Sequence, residues 1–125
     1  MELKLKKKLI KATLLVQALV DTNQEMTIKD LLNMTSGISY PDKNFEAGIQ
    51  MSKLYEDIKQ KLETGYPIST VDYCNQIGQV PLVFQPSESW LYGASTDVLG
   101  AIIEIVSGKK FSRFLKDEIL SLLEW

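Results

Sequence analysis

The sequence predicts a mainly α-helical fold, and three features carry that expectation. Apolar residues recur at three- and four-residue steps in several separate segments, the spacing that gathers side chains on one face of a helix. Those segments open on Thr27, Ser69 and Ser95, whose hydroxyls suit the unpaired amides of a first helical turn, and close near Gly37, Gly78 and Gly108. Alternation with a period of two, the mark of a half-buried strand, is almost absent. The 125 residues fit one domain, and an apolar share of 45% beside a charged share of 24% supplies one modest core.

Taken in order, Leu5, Leu9, Ala12, Val16 and Leu19 predict an amphipathic N-terminal helix over about residues 3–20. A basic start followed by an apolar stretch also has the order of a secretory signal. Lys11 and Gln17 interrupt that stretch, however, and no small-x-small cleavage site follows before Asp21. No run reaches transmembrane length. The lysines at 4, 6, 7, 8 and 11 leave a membrane-surface contact as a minor expectation for this helix. Compartment is not assigned.

Thr27 opens a helix of about two turns that Gly37 ends. Tyr40-Pro41-Asp42 is a turn signal. Phe45, Ile49, Leu54, Ile58 and Leu62 predict a long helix over residues 44–63, with Lys53, Glu56, Asp57, Lys59 and Lys61 on its solvated side. Gly65 and Pro67 break it. Ser69, with Asp72 in the capping-box position, opens the next helix, whose inner face is Val71, Cys74 and Ile77. Cys74 reads as a small buried hydrophobe, with no basic neighbour to stabilise a thiolate. Residues 80–86 are extended or irregular, and Pro86-Ser87-Glu88-Ser89 is a turn. Ser95-Thr96-Asp97 caps a helix with Val98, Ile102, Ile105 and Val106 inward, stopped by Gly108. A last helix over residues 111–123 turns Phe111, Phe114, Leu115, Ile119 and Leu122 inward. There are five or six helices with irregular loops, and no repeats or linker.

Composition excludes several functions. A net charge of −2 gives no electrostatic footprint for nucleic acid. The chain has no histidine, which rules out a Ser-His-Asp triad, a Cys-His pair and an HExxH zinc site within it. A single cysteine forms no intrachain disulfide, and no metal or cofactor is expected.

Two stretches carry more. The first is Thr27-Ile28-Lys29-Asp30-Leu31-Leu32-Asn33-Met34-Thr35-Ser36-Gly37-Ile38. The second runs Pro81-Leu82-Val83-Phe84-Gln85-Pro86-Ser87-Glu88-Ser89-Trp90-Leu91-Tyr92-Gly93-Ala94-Ser95-Thr96-Asp97-Val98-Leu99-Gly100 and continues through Glu104, Ser107-Gly108 and Phe111 to Phe114-Leu115. Over about residues 26–118 this pattern resembles the beta-lactamase-related serine hydrolases: class C beta-lactamases, D-alanyl-D-alanine peptidases and serine esterases. The esterase-like branch is the nearest in flavour. The resemblance implies the helical domain of the beta-lactamase/transpeptidase-like fold, which in the family packs on an α/β domain with the active site between them.

The family's chemistry uses a Ser-x-x-Lys at a helix start, a Tyr-x-Asn or Tyr-x-x segment, and a Lys-Thr-Gly or His-x-Gly strand. A serine hydroxyl attacks well only once a neighbouring base takes its proton, and lysine and tyrosine can serve. The resemblance places Tyr92 at the catalytic tyrosine position, with Ala94 where the asparagine stands, a departure that favours an esterase-like relative. Residues 1–26 hold no serine. The literal Ser107-Gly108-Lys109-Lys110 falls at a helix end beside a glycine stop and is not expected to be catalytic. Glu63-Thr64-Gly65 lacks the lysine and reads as a turn. Ser87 stands where the family has glycine, and Leu122-Leu123-Glu124-Trp125 where a Pro-Leu-Gly-Met-like segment is expected. The expectation is a fragment or remnant of such a hydrolase, inactive alone; the alternative is a stand-alone helical binding or self-association module. Apolar surface left without the α/β half leads us to expect a homo-oligomer or a separate completing half.

Overall fold

The computed structural model describes residues 8–12 and 17–123, with side chains from residue 19 onward. Those residues form two strands, five α-helices and a closing π-helical turn. The strands β1 (Lys8–Ala12) and β2 (Gln17–Asp21) pair antiparallel, with Leu9 opposite Val20 and Ile10 opposite Leu19. This corrects the helix expected over residues 3–20 wherever the chain is described; residues 3–7 and 13–16 lie outside it. Short apolar runs do not distinguish helix from strand by spacing alone. Lysines three and four apart repel on a helix face, and the segment has no glycine or proline to frame a helix.

Past the ribbon, the chain is stitched to the loop near residue 85. Gln85 Oε1 accepts the Asn23 amide at 3.0 Å, Gln85 Nε2 donates to the Asp21 carbonyl at 3.3 Å, and Gln24 Nε2 donates to the Pro86 carbonyl.

Helix α1 (Ile28–Asn33) starts as Thr27 predicts. The Asp30 amide donates to Thr27 Oγ1 at 3.1 Å, and the Thr27 amide donates back to Asp30 Oδ2 at 2.9 Å, a reciprocal capping box. The helix stops before Gly37, because Met34 takes the left-handed C-cap with φ 59°.

Helix α2 (Glu46–Glu63) has the expected extent but a rotated inner face. Ala47, Gly48 and Met51 are buried and Leu54 and Tyr55 pack on the core, whereas Ile49 and Leu62 are 36% and 55% exposed. Leu54 and Ile58 belong to both candidate faces, so the spacing fits either. On the outer side, Asp57 and Lys61 pair at 2.7 Å across one turn.

Helix α3 (Thr70–Ile77) buries Val71, Cys74 and Ile77, and Ser69 Oγ accepts the Asp72 amide at 3.1 Å, as the sequence predicts. Helix α4 (Ser95–Ser107) begins at Ser95 itself, with Ala94 in the cap and no side-chain bond, so the expected Ser95-Thr96-Asp97 cap is corrected. Its core side is Val98, Gly100 and Ala101, with Ile102 and Ile105 partly covered; Val106 is 81% exposed, contrary to expectation. Gly108 ends α4 in a left-handed cap. Instead of one helix over residues 111–123, a short α5 (Phe111–Leu115) passes into a π-helical segment, Lys116–Leu120, and Ile119 and Leu122 are exposed. Glu104 Oε1 accepts the Phe111 amide at 2.9 Å and caps α5 from α4.

The core sits where α1, α2, α3 and α4 meet. Leu31, Met51, Val71, Cys74, Val98 and Ala101 fill it, closed by Ile38, Leu82 and Ala94 from the loops. No helix among the described residues is long and apolar enough to cross a membrane.

Candidate active site

The two stretches that the sequence singles out meet in space. The Leu91 amide donates to the Met34 carbonyl at 3.0 Å, Ser87 to Thr35 at 2.9 Å and Val83 to Gly37 at 2.9 Å. Ser36 and Ser95, both fully buried, share a hydroxyl hydrogen bond of 2.7 Å, and the Ile38 amide donates to Ser36 Oγ at 3.1 Å. One loop is thereby laid along the other and fixed at several points.

Asp30 is the anchor at one end. It is 3% exposed and charged, which is costly unless hydrogen bonds replace water. Besides the box with Thr27, it accepts the Thr35 hydroxyl at 2.9 Å and the Ser87 hydroxyl at 2.5 Å. Burial pushes its pKa up, but the bonds from Ser87, Thr27 and Thr35 outweigh this and hold it at about 2. Ser87 has φ 71°, a conformation that favours glycine, the residue the resemblance leads one to expect there. Its hydroxyl bond to a charged acceptor offsets that strain.

Gly93 is the anchor at the other end. A Cβ built on it would lie 1.9 Å from the Ile38 carbonyl oxygen, so only glycine permits this approach. Ala94 follows, fully buried in the core. Between these anchors Tyr92 stands out, 63% exposed, beside Trp90 at 64%. The Tyr92 ring lies against Tyr40, with centroids 5.4 Å apart and planes at 56°.

A second polar group lies below the start of α4. The Tyr73 hydroxyl is 2.9 Å from that of Tyr55 and 3.3 Å from Asp97 Oδ2, and the Cys74 thiol donates to the Asp97 carbonyl at 3.3 Å. Burial, then Asp97 and Glu104, push the Cys74 thiol up to about 12. Cys74 therefore stays a thiol in the folded chain, and a disulfide-exchange reagent at mildly alkaline pH is expected to leave it untouched until denaturant is added. Rapid colour release from folded protein would contradict that.

The other motif matches fall where the sequence places them. Ser107 is the last residue of α4, its Oγ accepting the Lys109 amide at 3.1 Å, and Lys110 lies beyond the left-handed Gly108 in the cap of α5. Serine and lysine do not share one helical turn, the placement that a nucleophile and its base on one helix face require. Thr64 and Gly65 close α2, as expected of a turn. The sequence reading missed Tyr40 and Asp97; Tyr40 reads there only as the first residue of a turn, and no spacing pairs it with Tyr92. Among the described residues no His, Cys, Asp and Glu side chains gather as metal ligands.

The chain belongs to the beta-lactamase family, whose profile matches residues 5–124. It forms the mainly helical part of that fold. It is similar to the acyltransferase calJ of Penicillium decumbens, 28% identical over 83 residues that make up 66% of this chain and 18% of that protein. Two unliganded structures of simvastatin synthase (LovD) from Aspergillus terreus, one of them a selenomethionyl derivative, share its fold. They superpose with TM-scores of 0.60 and 0.59 at 20% identity, over 92% of this chain and 26% and 27% of theirs. The chain thus spans about a quarter of the solved relatives' length and less than a fifth of the curated one's.

Proposed function

We propose that these residues supply the helical wall and the proton-carrying tyrosine, Tyr92, of an acyl-transfer site whose serine nucleophile and oxyanion strand lie outside them. The observation that carries this reading is the loop around Tyr92. Its neighbours are locked by Leu91, Gly93 and the Ser36–Ser95 bond, while its hydroxyl-bearing side chain is left open to an incoming group. A fixed backbone under an exposed polar side chain is what a positioned acid–base group requires. The acyl group would pass from an ester or amide to the serine and then to water or another hydroxyl, which covers both the esterase-like pattern and the acyltransferase relative.

The 125 residues alone transfer no acyl group in this reading, since their one Ser-x-x-Lys is split by a helix end. Intact-mass spectrometry of the folded chain with a fluorophosphonate, and separately with a penicillin, is expected to show no adduct. A stoichiometric adduct would overturn this. When the chain is joined to a family α/β half bearing the serine and lysine, Tyr92→Phe is expected to lower turnover by about 100-fold or more, the usual weight of a proton carrier. An unchanged rate would remove Tyr92 from that role.

Self-association is a second reading. It is favoured by Ile28 and Leu32, one turn apart on the same face of α1 and 57% and 66% exposed. A mass that stays monomeric by light scattering across a concentration series would rule it out.

A further inference from the structure

The second half of α2 stands away from the core. Its first half is buried through Ala47, Gly48 and Met51, but Tyr55, Ile58 and Leu62, which continue along the helix, line an open cleft. The chain turns back at Gly65, with φ 79°, and Ile68 and Tyr73 form the facing wall, one just before α3 and one within it. The cleft measures about 630 Å³, a size typical of sites for small apolar molecules. Ile58, Leu62 and Ile68 line it without filling it.

Its two ends differ. At the inner end the Tyr55 and Tyr73 rings lie 6.2 Å apart at 57°, and the Tyr73 hydroxyl is 3.3 Å from Asp97 Oδ2. Asp97 sits in the first turn of α4, which follows directly on the Tyr92 loop. Tyr40, whose ring meets Tyr92, completes this row of aromatic rings between the cleft and the candidate site. At the outer end only the aliphatic Leu62 and Ile68 approach, near the turn. Lys59 and Glu63, one turn apart at the rim, carry opposite charges, so the mouth favours neither an anion nor a cation.

We propose that this cleft holds the aliphatic acyl chain of the ester or amide that the Tyr92 site acts on, its carbonyl end towards the tyrosines and its far end towards Leu62 and Ile68. The proposal rests on acyl transfer at Tyr92. From Tyr55 to Leu62 the helix rises about 10 Å, which gives an extended chain of medium length a continuous apolar wall. An uncharged apolar occupant suits both that wall and the balanced rim.

Methyl butanoate, methyl hexanoate and methyl octanoate, titrated into the folded, isotope-labelled chain, test this by nuclear magnetic resonance. Amide shifts are expected to centre on Tyr55, Ile58, Leu62, Ile68 and Tyr73, with affinity rising roughly tenfold for each two methylenes added. In the octanoate complex, nuclear Overhauser contacts are expected from the terminal methyl to Leu62 and Ile68, and from the methoxy group to the tyrosine rings. Leu62, 55% exposed, can become Glu without disturbing the core. Leu62→Glu is expected to weaken methyl octanoate at least tenfold with the circular-dichroism melt unchanged. Val106→Glu, at an 81% exposed site on α4, is expected to bind as the parent does. Affinity independent of chain length, equal effects of the two variants, reversed Overhauser contacts or shifts centred elsewhere would overturn the proposal. Shifts of the same amides on concentrating the chain without ester would give the cleft to a second copy, and would overturn it too. Binding is read without turnover: should the cleft pass these tests while Tyr92→Phe leaves turnover of the assembled hydrolase intact, the acyl-chain site stands and the proton-carrier role of Tyr92 is what fails.

Discussion

Gly93→Ala is expected to destabilise this chain more than any other added methyl group. The new carbon would sit 1.9 Å from the Ile38 carbonyl oxygen, 2.9 Å from its carbon and 3.1 Å from Ser39 Cα. All three are backbone atoms, so no rotamer change relieves the overlap. Nor can either segment retreat cheaply. Ile38 is tied through Ser36 to Ser95, Leu91 is bonded to Met34, and Ala94 is buried in the core. Relief requires breaking several of these together. A loss of about 4 kcal/mol or more is expected, at the far end of single-substitution effects. For a domain of this size that lowers Tm by on the order of 15 °C. Gly65→Ala is the control: Gly65 has φ 79° but nothing within 4 Å of a built Cβ, so it carries only the left-handed penalty of about 1 kcal/mol. Equal melting shifts for the two variants would mean that the close approach at Gly93 is not real.

Asp30→Ala is expected to come next, at about 3 kcal/mol, because it orphans donors from three parts of the chain. The Thr27 amide and hydroxyl and the Ser87 hydroxyl lose their acceptor, and the Thr35 hydroxyl keeps only the long 3.5 Å contact to the Asp30 carbonyl, at a site 3% exposed. The same group gives a pH signature. Its folded pKa of about 2 lies below the ordinary 3.8, so its stabilisation is fully present above pH 3.8. It is lost as pH falls towards about 2, a change of about 2 kcal/mol. Asp30→Asn removes the titrating group, so chemical denaturation of this variant should vary less with pH across that window than the parent does. Parallel pH dependences would show that Asp30 is not held low by these bonds.

Much of this was legible because helix ends advertise themselves chemically. Thr27 and Ser69 accept amides three residues on, and Gly108 adopts the left-handed cap that glycine suits. Ser95 shows the limit of such signals: a hydroxyl that reads as a cap is turned into the core to meet Ser36, a residue far away in the chain. The rotated inner face of α2 was hidden because Ala47 and Gly48 bury well but carry no hydrophobic signal, while larger Ile49 and Leu62 do and remain exposed. The strands β1 and β2 were hidden because runs of five residues are too short for period to decide. At the candidate site, Tyr92 was legible through its surrounding motif. Tyr40 was not, since its pairing with Tyr92 exists only after two loops close on each other.

The Ser36–Ser95 bond spans 59 residues of chain, and the neighbouring backbone bonds from Met34, Thr35 and Gly37 reach almost as far. Contacts of such separation require a long loop to be closed before they give anything back, so they form late relative to local helix turns. Helices α1 to α4 can each begin to coil from nearby signals, but the perch under Tyr92 has no local precursor. A collapsed chain rich in helix would therefore look nearly native by far-ultraviolet circular dichroism while Tyr92 was still unplaced, and secondary-structure content is a poor gauge of whether this site has assembled.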